Sequence, residues 1–129
     1  ISACLVGSEM CIRDRVEEFQ KSAEAEHNAM LSMLVDEGYL DASALEDELA
    51  NENEIIDALY RGLKGSPCKL MAASIVDAVG EKRTQNQPGT SNEYPNWRIP
   101  LADGDGNVVP LEQLFDNTRL QEIAAIMRG

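Results

Sequence analysis

The sequence predicts an α/β fold in which helices precede one strand of the buried, parallel kind and a long irregular loop follows it. Three observations predict this. Val16, Phe19, Ala23, His27, Met30, Leu31 and Leu34 recur at three- and four-residue spacing, the repeat of one helix face. Lys69 to Val76 is mostly apolar, from Leu70 to Ala73 and at Ile75 and Val76, and lacks alternation, the pattern of a strand covered on both sides. Asp77 to Trp97 carries Pro88, Gly89 and Pro95, which exclude helix and regular strand because proline lacks a backbone donor and restricts its predecessor.

The first helix is expected over Val16 to Glu37, with Glu17 and Lys21 paired at i,i+4 on its outer side and Gly38 as its stop. Asp41 or Ser43 can cap a short helical turn around Leu45 to Leu49. A second helix starts at Asn51 or Asn53 and puts Ile55, Ile56, Leu59, Tyr60 and Leu63 on one face, with Gly65 after it. Ser66-Pro67 breaks helical geometry before the expected strand. After the loop come a short extended piece at Arg98 to Leu101, turn chemistry at Asp103-Gly104-Asp105-Gly106-Asn107, and a last helix. Asn117 caps that helix, which carries Leu120, Ile123, Ala124 and Met127.

The N-terminus reads differently. Leu5-Val6-Gly7-Ser8-Glu9-Met10-Cys11-Ile12-Arg13-Asp14 resembles the translation of a transposase-type sequencing-library adapter, and Arg15 fits its continuation. Residues 1–15 are therefore expected to be non-native and are set aside. Native sequence is expected over residues 16–129, with the true N-terminus lost upstream.

Setting those residues aside removes Arg13 and Arg15 against Glu9 and Asp14, so the net charge stays at −12. That charge, with a pI near 4.3, argues against nucleic acid and anionic membrane surfaces as partners, since both require basic patches. Cys68 is the one thiol left, which suits a reducing cytosol. Leu70 to Val76, the longest apolar run, is too short to cross a bilayer. No second histidine or metal-spaced cysteine suggests a metal site, and no cofactor is expected. Asp103-x-Asp105-x-Asn107 starts like a calcium loop, but Val108 stands where glycine is required and Leu114 where glutamate is required.

The loop is rich in side-chain amides (Gln85, Asn86, Gln87, Asn92, Asn96) and holds Tyr94 and Trp97. Such a set suits hydrogen bonding and stacking against a neutral polyhydroxylated ligand. Gln85-Asn86-Gln87-Pro88-Gly89-Thr90, followed by Glu93-Tyr94-Pro95-Asn96-Trp97-Arg98, resembles the C-terminal signature of 4-α-glucanotransferases (amylomaltases or disproportionating enzymes). The likeness extends more loosely from about Val16 to the end. It implies the closing part of a (β/α)8 TIM barrel: the last helices, the eighth strand and the substrate-facing loop after it, where such barrels bind ligands.

The resemblance further implies transfer of an α-1,4-glucan segment to the 4-hydroxyl of glucose or a maltooligosaccharide by retaining double displacement. It places the nucleophile, the acid/base and a third carboxylate in a His-Asp step upstream. His27, the one histidine, is followed by Asn28, so no catalytic residue is assigned to this chain, which is expected to be inactive alone. Asn86, Gln87, Asn96 and Trp97 are the candidate substrate contacts. The competing reading of the amides is that they brace a proline-containing loop; for Trp97 it is a packing anchor, the more frequent role of a tryptophan beside an extended segment. His27, on the apolar side of its helix, reads as structural. The competing reading is a small acidic helical interaction domain without enzyme activity.

Overall fold

The computed structural model describes the backbone of residues 9–129 and the side chains of residues 15–129. Most of the stretch read as adapter-derived lies outside the residues whose side chains are described. The chain forms two compact units, residues 1–55 and 56–129.

In the first unit α1 (Glu9–Asp36) starts earlier than the periodicity predicts. Its end follows the sequence: Gly38 sits at φ +75°, and the Tyr39 and Leu40 N–H groups return to the Leu34 carbonyl, satisfying acceptors a helix end leaves open. Asp41 caps the 3₁₀ turn Ala42–Asp47, accepting from the Ser43 N–H at 2.8 Å and from its hydroxyl at 2.6 Å. These bonds hold the Asp41 carboxyl below its usual range. Leu31, Leu34, Leu40, Ala44 and Ile55 are buried. The N-terminal half of the predicted apolar face is not, since Val16 and Phe19 are exposed. His27 is also exposed, and its Nε2 lies 2.7 Å from Glu48. It ties helix to turn rather than facing apolar surroundings.

The helix α2 (Glu52–Gly65) leads into the second unit. There Tyr60, Ala78 and Ile123 are buried, with Ile56, Leu120, Ile126 and Met127 packed against them. The residues come from α2, α3 (Ile75–Val79) and α5 (Thr118–Arg128). Arg119 on α5 reaches Asp57 on α2 at 2.9 Å and Glu122 at 2.8 Å. The expected cap is formed, with Asn117 Oδ1 accepting from the Leu120 N–H at 2.8 Å. A short helix, α4 (Leu111–Phe115), follows Pro110.

The predicted strand at Lys69 to Val76 does not form. Residues 66–74 are irregular and mostly exposed, Leu70 to 94%, and Ile75 opens α3 instead. A strand is a non-local structure whose N–H and C=O groups need a neighbour. Among the described residues the one β contact is the isolated antiparallel bridge Ala102–Val108. Ser74 finds a different partner: its N–H donates to the Tyr60 hydroxyl at 2.9 Å, while that hydroxyl donates to Asp77 at 2.5 Å. Burial and the Asp77 carboxylate together push the Tyr60 phenol up. Gly80, at φ +74°, ends α3, with the Gly80 and Glu81 N–H groups on the Val76 carbonyl. It lies against Gly104, whose added Cβ would meet the Gly80 carbonyl at 3.3 Å.

Candidate functional site

The loop from Glu81 to Leu101 has no regular structure, yet it is held by many bonds. Gln87-Pro88-Gly89-Thr90 forms a turn: the Thr90 N–H and hydroxyl both donate to the Gln87 carbonyl, at 3.3 and 2.6 Å, and Gly89 takes φ +82°. Proline second and a positive-φ glycine third is what a type II turn requires. Asn96 spans this turn. Its Oδ1 accepts from the Gln87 N–H at 2.7 Å, and its Nδ2 donates to the Thr90 carbonyl at 3.3 Å and hydroxyl at 3.0 Å. The Trp97 N–H donates to the Gln85 carbonyl at 2.8 Å, and the Tyr94 hydroxyl to the Thr84 carbonyl at 2.5 Å. Glu93 accepts from the Ser91 N–H at 2.7 Å, and such backbone donors lower its carboxyl.

The four candidate residues thus divide. The Asn96 amide is engaged at both ends within the loop. Asn86 and Gln87 take part only through their backbones, Asn86 by accepting from the Thr84 hydroxyl at 2.8 Å. Their side-chain amides have no hydrogen-bond partner among the described residues. Trp97 is 76% exposed in this chain, and its backbone sits at φ +59°. The loop therefore presents two open amides and an indole on a braced scaffold.

Sequence reasoning missed what closes the loop's base. Glu81, whose side chain is 1% exposed, forms a bidentate pair with Arg83: Nε to Oε1 at 2.9 Å and Nη2 to Oε2 at 2.6 Å. Donors from Arg83 hold its carboxyl down at about 2. The signal was present as an acid and a base two residues apart, directly before the amide-rich stretch. At the far end Asp103 accepts from the Asp105 and Asn107 N–H groups at 3.0 and 2.8 Å and from the Asn107 amide. These bonds lower its carboxyl and make the segment a self-satisfied turn. No group of three or more potential metal ligands occurs among the described residues. Nor is any helix among them long and apolar enough to cross a membrane.

The sequence profile of the glycoside hydrolase 77 family, described as 4-alpha-glucanotransferase, matches residues 13–105. This chain belongs to the 4-alpha-glucanotransferase family. Similar proteins include the 4-alpha-glucanotransferases of Mycobacterium bovis (strain ATCC BAA-935 / AF2122/97) and Mycobacterium tuberculosis (strain ATCC 25618 / H37Rv). Each is 42% identical over 114 residues, covering 88% of this chain. The chain spans 15% of the length of these relatives, so it corresponds to a fragment of a 4-alpha-glucanotransferase family protein. No solved structure matches it. The amide-rich loop falls inside the matched residues, as does the Glu81–Arg83 pair at its base.

Proposed function

We propose that this chain is the C-terminal part of a cytoplasmic 4-α-glucanotransferase, contributing the last helices, the eighth strand and the substrate-facing loop of a (β/α)8 barrel. In the parent, residues 69–76 would become that strand once neighbouring strands supply its partners. Residues 1–15 are non-native in this reading. The parent cuts an α-1,4-glucan and passes the glucanyl segment to the 4-hydroxyl of glucose or a maltooligosaccharide. A retaining double displacement by upstream carboxylates carries the chemistry, and this piece binds.

The observation that carries the binding role is the division within the loop. Asn96 and Tyr94 are spent on bracing, whereas the amides of Asn86 and Gln87 and the indole of Trp97 are open. Amides can donate to and accept from sugar hydroxyls, and an exposed ring offers a stacking face. Asn96 then supports the site from behind. Family membership weighs against the small acidic interaction domain.

The test is kinetic. In the complete enzyme, Asn86→Ala lowers kcat/KM for maltooligosaccharide disproportionation by about ten-fold, the scale of one hydrogen bond to bound substrate. Unchanged kinetics with a lowered melting temperature would assign that amide to loop stability instead.

A further inference from the structure

The loop's two ends are joined by a charged clasp. Glu81 Oε1 accepts from the Arg83 N–H at 3.0 Å and from Arg83 Nε at 2.9 Å. Glu81 Oε2 accepts from Arg83 Nη2 at 2.6 Å and, across the loop, from the Ala102 N–H at 3.0 Å. Arg83 Nη2 also donates to the Pro100 carbonyl at 2.8 Å. An ionised carboxylate offers about four lone-pair sites, and Glu81 uses four. It has no site left for a sugar hydroxyl, a metal or a proton in transit, so its role is mechanical.

We propose that Glu81 and Arg83 are positioning residues of the sugar-binding loop, a clasp that grips Pro100 and Ala102. The clasp presents Asn86, Gln87 and Trp97 together to an α-glucan without touching it. The proposal rests on the loop facing substrate. Its physical basis is pre-organisation. A loop with untethered ends must be ordered when the glucan binds, and that cost comes out of affinity. The clasp orders the base beforehand. Gly80 helps set its position, because the chain leaves α3 there in a left-handed conformation and brings Glu81 beside the segment that holds Ala102.

The experiment is a double-mutant cycle in the complete enzyme between Glu81→Gln and Asn86→Ala, read as kcat and KM for disproportionation of maltotriose. Glu81→Gln keeps the shape but loses the charge-assisted fork. It is expected to raise KM about ten-fold while kcat changes less than about three-fold. Asn86→Ala costs a similar factor alone. The double variant loses clearly less than the product of the two, because a loop without its clasp already misplaces Asn86. Arg83→Lys, which keeps the charge but not the planar fork, moves KM in the same direction by less. It replaces Glu81→Gln in the cycle should that variant fail to fold. Effects that multiply, or wild-type kinetics in Glu81→Gln beside an impaired Asn86→Ala, would overturn the clasp and leave the loop's binding role standing. Wild-type kinetics in Asn86→Ala would overturn both.

Discussion

Replacing Asn96 with alanine separates a brace from a sugar contact. The substitution removes the acceptor for the Gln87 N–H at 2.7 Å and the amide donor to Thr90 at 3.0 and 3.3 Å. Each such bond contributes about 0.5–1.5 kcal/mol net. The freed Gln87 N–H is exposed and gains water, and the two Thr90 contacts share one donor group. The loop should therefore lose about 1–2 kcal/mol of local stability, about a 5- to 30-fold rise in its opening equilibrium. Amide hydrogen exchange at Gln87 in the complete enzyme reads this directly, because Asn96 shields that N–H. The Trp97 N–H, bonded to the Gln85 carbonyl, should accelerate less and serves as the internal control. Unchanged exchange at Gln87, with maltooligosaccharide affinity reduced by a comparable factor, would refute the bracing assignment and return Asn96 to the substrate.

Tyr60→Phe strands the Ser74 N–H and one Asp77 oxygen in a half-buried place, and should lower the unfolding free energy of the complete enzyme by about 1–3 kcal/mol; an unchanged denaturation midpoint would speak against it. The Glu81 carboxyl is depressed in the folded state to about 2, so its stabilisation is full above the ordinary carboxylate range near pH 4.5 and is lost as pH falls toward 2. The melting-temperature advantage of wild type over Glu81→Gln should accordingly be flat above about pH 5 and shrink on acidification; an advantage that persists undiminished at pH 2 would contradict the assignment. The 129-residue chain alone should show no disproportionation of maltotriose, since the proposed chemistry draws its carboxylates from upstream, and no sharp thermal transition, because Phe19, Leu49, Leu70 and Phe115 are 72–94% exposed. Turnover that copurifies with it and is abolished by heat, or cooperative melting of a monodisperse monomer, would count against this.

What was legible in the sequence was local. The C-terminus of α1 and the N-terminus of α5 follow from Gly38 and Asn117 because a cap acts within a few residues of itself. Family and loop were readable from the Gln85–Arg98 string, whose proline and glycine positions dictate its turn. The strand expected at residues 69–76 does not form, because local patterning cannot supply the neighbour that a strand's N–H and C=O groups require. A closer reading of Ser74 and Gly80 as start and stop would have found α3. The division among the amides was also hidden. Asn86 and Asn96 are the same residue type on one loop, and only the fold of that loop decides which one it consumes.

Trp97 stands at φ +59°, a region where glycine and asparagine are comfortable and a large aromatic is an outlier. Folding alone therefore gives no reason to prefer tryptophan there. A library of variants ranked only by heat resistance would drift at position 97 toward glycine or asparagine, each gaining by relieving the backbone. The most thermostable descendants of such a programme would be those that had discarded the indole. Selection of the parent for heat resistance alone would thus work against the stacking role proposed for this position.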